Sequence, residues 1–325
     1  MKTLRNIAVA IVALTFAAAA AAAAQQPYPN KPVRLIVGFA PGGNTDTVAR
    51  LVGAKLAERL GTRVVIDNRG GAGGTIGTEI AAHANADGYT LTMGTTTTHA
   101  IAVAAYPKLR YDPVRDFTPA ALVAVAPYLL VVHSSLPPRD LKEFVAMVKS
   151  QPGKLTYGSA GTATTTHLAM VTLATRAGLD MTHVPFKGNG PATTAVIGGQ
   201  VQILFGAMPP LLPHLPSGRV RPIAVSSAKR SASLPEVPTV AESGFPGYNV
   251  TLWLGFFAPS GTPAPVMKRL ETELIAAVNS PDLREQMMRQ GLEANSASAA
   301  DLARLLRAEI ENYKKAFKTA GIKVQ

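Results

Sequence analysis

From Pro32 onward, short β-branched runs alternate with segments whose apolar residues recur at helical spacing, and glycine or threonine clusters mark many of the handovers. Val33-Arg34-Leu35-Ile36-Val37-Gly38-Phe39 is expected to be a buried strand. It ends in Pro41-Gly42-Gly43-Asn44-Thr45-Asp46, after which Val48, Leu51, Val52, Leu56 and Leu60 share one face of a helix over residues 47–60, with Gly61 as its cap. Val64-Val65-Ile66 reads as a second strand, Gly70 to Gly77 as a glycine-rich loop, Thr78 to Ala84 as a helix, and Tyr89 to Met93 as a third strand. Strand, helix, strand, helix, strand with short loops confines the chain to an α/β fold with parallel pairing.

The alternation continues through strands expected near Leu129–Val132, Leu155–Tyr157, Met181–Val184, Val201–Phe205 and Ile223–Val225, with helices from Asp140, Thr166 and Ala192. Two long helices, Ala264 to Asn279 and Ala299 to Ala320, close the chain, with a shorter one from Pro281 between them. Two longer apolar passages interrupt the rhythm, Ala120 to Val132 and Val250 to Ala258. A chain that leaves one α/β lobe, builds a second and returns needs two such crossings. The expected division is residues 25–126 with 250–325 as one lobe and 127–249 as the other, with a ligand in the cleft between them.

Composition narrows the chemistry. Across 325 residues, 47% are hydrophobic and 16% charged, enough apolar material for a sizeable core. With no cysteine there is no thiolate nucleophile, cysteine-ligated zinc, iron–sulfur cluster or disulfide framework. Lys2 and Arg5, the apolar run from Ile7 and the alanines ending at Ala24 have the order of a secretory signal peptide, residues 1–24, cleaved after Ala24. That run is nearer a signal core than the roughly 20 residues of a bilayer span. Loss of Lys2 and Arg5 takes the formal net charge from +12 to +10. The remaining cations are scattered, and the densest stretch, Arg304 to Lys323, interleaves them with Glu309 and Glu311 as a solvated helix face does, so nucleic acid is not an expected partner.

Candidate ligand groups gather where strands hand over to helices. At Phe39, Ala40, Gly42, Gly43, Asn44, Thr45 and Asp46, glycines would let an anion approach the unpaired N–H groups of a helix start; plain helix capping by Asn44, Thr45 or Asp46 accounts for the same residues. Asp46 would repel an anion, which favours capping for it. The run Thr95 to Thr98, with Thr95 and Thr96 as its candidate ligand residues, gives a polar loop at the end of the third strand, and Ser159, Ala160, Gly161 and Thr162 offer a second half of the cradle, with His167 at the following helix start. Phe186, Lys187 and Gly188 place one cation near another strand end. Gly71-Ala72-Gly73-Gly74-Thr75-Ile76-Gly77 matches a dinucleotide fingerprint poorly, because its third glycine falls one position late and it follows the second strand. Gly158-Ser159-Ala160 is not a nucleophile elbow, the histidines lack metal-ligand spacing, and neither a base-paired nucleophile nor a cofactor fingerprint is evident, so no enzyme, metal or cofactor is expected.

Taken in order, Tyr28-Pro29-Asn30-Lys31-Pro32, Pro41-Gly42-Gly43 with Asp46 and Arg50, Asn68 to Gly74, Asp87-Gly88-Tyr89-Thr90, Tyr157 to Gly161, His183 to Gly188, Pro235 to Glu242 and Pro259 to Pro263 resemble the receptors of tripartite tricarboxylate transporters, the Bug family of periplasmic solute-binding proteins. The resemblance implies an α/β two-lobe periplasmic binding protein fold, each lobe a mainly parallel sheet flanked by helices, with two crossover strands as a hinge. It further implies an exported, soluble, monomeric receptor that closes on a small carboxylated solute and delivers it to membrane transporter subunits. A neutral solute, or a sensor role without a permease, is the alternative. By motif position the implied site comprises Phe39 to Asp46, Thr95-Thr96, Ser159 to Thr162, His167 and Phe186 to Gly188. Three departures from the family pattern stand out: Thr162-Ala163 in place of Asn-Gly, Phe186 in place of Tyr, and Gly206 in place of an Asp, the last suggesting a ligand with an apolar body.

Overall fold

The computed structural model describes residues 28–320, so the expected signal peptide lies outside the described residues. Among the described residues, ten strands form one mixed sheet in the order β2-β1-β3-β9-β4-β7-β5-β6, with β8 and β10 (Glu293–Ser298) pairing β4 off that path. One half holds β1 (Val33–Val37), β2 (Val64–Asn68), β3 (Thr90–Thr95) and β9 (Thr251–Pro259); the other holds β5 (Thr156–Ser159), β6 (Thr182–Pro185), β7 (Ile203–Ala207) and β8 (Val220–Val225). β4 (Phe117–His133) serves both. Its residues from Phe117 to Pro127 pair antiparallel with β9, and those from Tyr128 or Leu129 to His133 with β7 and β8. The seventeen-residue strand is buried at most positions, which is why its sequence is a near-continuous apolar run without alternation.

The outer strands are parallel, as expected: β1 with β2 and β3, and β5 with β6 and β7. The crossing pair and β10 (Glu293–Ser298) introduce antiparallel ladders, so the sheet is more mixed than expected. Where the chain passes between halves, Ser226 clips three segments together. Its Oγ accepts the Tyr128 N–H at 2.8 Å and donates to the Val250 carbonyl at 2.6 Å. Its backbone bonds the same two residues at 2.9 and 2.8 Å.

Helices cover both faces: α1 (Asn44–Leu60), α2 (Thr75–Ala82), α3 (Ala102–Ala105), α4 (Leu141–Ser150), α5 (Thr165–Ala177), α6 (Asn189–Ile197), α7 (Met208–Leu211), α8 (Ala264–Val278), α9 (Pro281–Arg289) and α10 (Ala299–Ala320). Gly61 ends α1 with φ +68°, a left-handed conformation that suits glycine. Along α10, Leu302, Leu306 and Ile310 bury one stripe against Ile36, Trp253 and Phe257. Further along the same helix Phe317 joins Ile101 and Leu168, elements of both halves. Lys314 pairs with Glu311 at 3.0 Å on its exposed side. No described helix is long and apolar enough to cross a membrane.

Candidate functional site

Helix α1 begins three residues earlier than the sequence pattern suggests. Its N-cap is Gly43, with φ −98°, ψ 177° and no side-chain cap, so Asn44, Thr45 and Asp46 form the first helical turn and none of them is the cap. The first helical bond is donated by the Thr47 N–H to the Gly43 carbonyl at 2.9 Å, leaving the three N–H groups before it without an intrahelical partner. Asp46 is committed elsewhere: Oδ2 accepts the Gly42 N–H and Arg50 Nε, both at 3.0 Å, and Oδ1 accepts Asn68 Nδ2 at 3.0 Å. Burial would raise its pKa, but the bonds from Arg50, Gly42 and Asn68 outweigh burial and hold the carboxyl below its ordinary value. The carboxylate thus anchors the loop, and Asn68, which also donates to the Phe39 carbonyl at 3.0 Å, ties it to β2.

Opposite lies the turn between β5 and α5. Gly161 has φ +136° and Ala163 φ +57°, a strained path for alanine that side-chain bonds hold in place. Thr166 Oγ1 accepts the Ala160 N–H at 2.9 Å, Thr164 Oγ1 donates to the Gly161 carbonyl at 2.7 Å, and His167 Nδ1 accepts the Ala163 N–H at 3.2 Å. Thr164 is the N-cap of α5. Ser159 Oγ contacts the Gly161 N–H at 3.1 Å, the Gly161 carbonyl at 3.0 Å and His183 Nε2 at 2.6 Å. A hydroxyl has one proton, and here it is spent on Gly161 or His183. Ser159 therefore supports the turn and has no donor left for an anion.

The two loops meet. The Ala40 N–H donates to the Lys187 carbonyl at 3.2 Å, Thr97 Oγ1 lies 2.8 Å from Thr165 Oγ1 and accepts the Thr165 N–H at 3.1 Å, and Tyr106 Oη donates to the Thr162 carbonyl at 3.2 Å. Glycines allow the approach: a Cβ on Gly190 would stand 2.3 Å from the Pro41 carbonyl oxygen, and one on Gly43 3.1 Å from Asn189 Cβ. Two cavities remain at the seam. An inner one of about 10 Å³, room for about one water, is lined by Phe39, Gly43, Thr45, Thr97, Tyr128, Ala160, Thr164, Asn189 and Leu252. An outer one of about 240 Å³ also touches Phe39 and Ala160 and adds Gly71 to Gly74, Tyr106, Gly161, Thr162 and Pro185 to Lys187. Neither lining contains an acid, and Lys187 is its one cation. Asn189 Oδ1 accepts the Ala207 N–H at 3.2 Å, which orients its amide and leaves Nδ2 as a donor. The buried Asn44 amide has no partner at either atom among the described residues.

Of the residues named from sequence, Phe39, Gly43, Thr45, Ala160, Gly161, Thr162, Phe186 and Lys187 line the seam, and Ala40, Gly42 and Gly188 pack at it. The others need correction. Thr95 and Thr96 do not open a loop: a π-helical turn, Thr96–Ile101, follows β3, with Thr95 and Thr98 capping each other. The Thr96 hydroxyl accepts the Trp253 N–H at 2.9 Å, and it is Thr97, next along, that reaches the cleft. Gly206 lines neither cavity; a Cβ there would strike Leu211 and Leu204 at 2.7 and 2.8 Å, both members of an apolar cluster. His167 lines neither cavity; besides accepting the Ala163 N–H it stacks 4.1 Å from His183, which stacks 4.9 Å from Tyr157. Burial lowers the pKa of both histidines to about 4, His183 with a further contribution from His167.

The Ser159–His183 contact also corrects the expectation that no nucleophile has a base. It does not make a hydrolytic centre, since Ser159 is fully buried and no bond from His183 to a carboxylate is found among the described residues. Sequence reasoning missed Tyr128, Leu252, Asn189 and Tyr106, which reach the seam from the crossing strands, the start of α6 and the end of α3. A larger surface groove, about 560 Å³, runs beneath Arg110, Arg115 and Lys314. Those cations are paired with Glu79, Asp116 and Glu311 at 3.6, 2.7 and 3.0 Å, so it makes no comparable demand for an anion.

Residues 48–322 match the model of the tripartite tricarboxylate transporter family receptor. The chain belongs to this family. It is 32% identical to Protein BugT of Bordetella pertussis over 326 residues, all of both chains. The structure of the periplasmic binding protein BugD is 35% identical, with TM-score 0.88, over 92% of this chain and all of that one. Rpa4515 of R. palustris, solved with adipate, is 37% identical, with TM-score 0.89 and the same coverage. As a Bug-family receptor, the protein has the two-lobe periplasmic binding protein fold and is a solute-binding protein, not an enzyme.

Proposed function

We propose that the protein captures a small carboxylate by closing its lobes, and delivers it to the membrane subunits of a tripartite transporter. The observation that carries this reading is the set of groups around the inner cavity at the seam. There the uncapped N-terminus of α1 faces the β5–α5 turn of the other lobe, with hydroxyl and amide donors and no acid among the lining residues. Free N–H groups and the positive end of the helix dipole favour a negative charge at that point. The site is Phe39 to Thr45, Thr97, Tyr128, Ala160 to Thr164, Phe186 to Gly188 and Asn189, with Asp46, Ser159 and His167 holding its loops. The outer chamber suits the rest of the solute: Phe39, Tyr106, Pro185 and Phe186 offer an apolar wall, and Lys187 one cation. Adipate, the molecule in the similar Rpa4515 structure, has that composition of acid ends and apolar middle.

The same reading takes residues 1–24 as a signal peptide and the mature protein as a soluble periplasmic monomer. Its lobes are 25–126 with 250–325, and 127–249. A thermal-shift panel of mono-, di- and tricarboxylates, amino acids and neutral sugars tests it. A ligand at 100 times its dissociation constant adds about 2.7 kcal/mol of stability, readily seen in a melting curve. Shifts confined to acids are expected. Shifts with neutral sugars alone would overturn the carboxylate reading.

A further inference from the structure

His183 stands on β6, across the parallel ladder from Tyr157 on β5, and the register places Ser159 two residues further along opposite Pro185. Its ring stacks on those of Tyr157 and His167, at 4.9 and 4.1 Å between centroids, and both contacts restrain its orientation. In that orientation Nε2 meets Ser159 Oγ at 2.6 Å, the shortest of the three contacts Ser159 makes. The other two go to the N–H and the carbonyl of Gly161, whose φ of +136° bends the turn so that Ala160, Gly161 and Thr162 line the seam. A fully buried serine joined on one side to a stacked imidazole and on the other to both backbone groups of a bent glycine is a strut.

We propose that His183 is a positioning residue for solute binding: through Ser159 it fixes the path of the turn 159–164, and so the backbone that this turn presents to the cleft. The proposal rests on the reading that the turn lines the solute site. His183 touches no solute in this account; it lines neither cavity.

The test uses H183F, which keeps an aromatic ring in the stack but loses the bond, and H183Q, whose amide restores a polar group near Nε2. Adipate is the probe, and amide exchange at Gly161 is read in parallel. With the one hydrogen bond lost, H183F should bind adipate roughly 2- to 12-fold more weakly and exchange the Gly161 amide faster by a similar factor. H183Q should recover most of both. Because His183 acts through Ser159, S159A, which also removes both Gly161 contacts, should bind at least as weakly as H183F, and the double variant should be no worse than S159A alone. Wild-type binding and exchange in H183F, or defects in H183Q that H183F lacks, would overturn the proposal in favour of a packing role. If the wild-type protein fails to bind adipate, the functional reading is what suffers, and the Gly161 exchange rates decide the strut on their own.

Discussion

Gly190→Ala separates closure from folding. Gly190 is the second residue of α6, and alanine is the better helix former by about 0.5–1 kcal/mol, so the lobe that carries it should be as stable or slightly more so. Across the seam the new Cβ would stand 2.3 Å from the Pro41 carbonyl oxygen, about 0.7 Å inside the closest approach a Cβ tolerates. Both sides of that contact are backbone, so no side chain can rotate away. The loops must part, and the 3.2 Å bond from Ala40 to the Lys187 carbonyl is the first to stretch. Overpacking costs about 1–3 kcal/mol and a lost hydrogen bond about 1 kcal/mol. Together, at about 2–4 kcal/mol, they predict carboxylate binding weaker by roughly 30- to 700-fold at an unchanged or raised urea midpoint. Calorimetric titration alongside urea denaturation reads both quantities. Wild-type affinity in G190A would refute the argument that the solute-bound state needs Pro41 packed on α6.

Three further outcomes follow from the same geometry. Burial lowers His99 to about 3, and burial, with a further contribution from His167 in the case of His183, holds His167 and His183 at about 4, against an ordinary 6.5; the unfolded chain therefore binds more protons in that window, and stability should be full above pH 6.5 and fall as the pH drops towards 4. Equal urea midpoints at pH 7 and pH 5 would contradict this. Asp46 titrates below its ordinary 3.8, so its contribution is present above that pH and lost below it; D46N should cost about 1–3 kcal/mol at neutral pH by denaturation, because Gly42, Arg50 and Asn68 lose a charged acceptor. S226A removes a buried hydroxyl that clips Tyr128 to Val250 and should cost about 1–3 kcal/mol in the same assay; a neutral result would mean that the backbone bonds of Ser226 hold the crossing unaided.

The elements most legible in sequence were those with long periodic or continuous apolar patterns. The expected bounds of α10, Ala299 to Ala320, coincide with the observed ones because its buried stripe runs most of its length. The start of α1 was misread since Gly43-Asn44-Thr45-Asp46 looks like a turn. Its first-turn residues are polar because they face a seam and not the core. β10 was missed altogether: Glu-Ala-Asn-Ser-Ala-Ser lacks alternating apolar residues, and it is a strand because its backbone pairs with β4. The threonines after β3 form a π-helical turn through a reciprocal Thr95–Thr98 cap, a local bond that composition does not reveal. For the cleft, the glycine loops were found from sequence and their partners were not. Ser159 and His183 lie 24 residues apart and meet only through parallel pairing of β5 with β6, and Tyr128 reaches the cavity from the middle of a strand that reads as core.

The central claim is that a negative charge is recognised at the α1 N-terminus between the lobes. The most direct measurement is a calorimetric comparison of the best carboxylate from the panel with its own primary amide, nearly identical in shape but neutral. The amide should bind at least 100-fold more weakly, or about 2.7 kcal/mol less favourably, because the helix terminus and its donors lose the charge they favour. Equal affinities would contradict it and place recognition in the apolar chamber around Phe39 and Phe186.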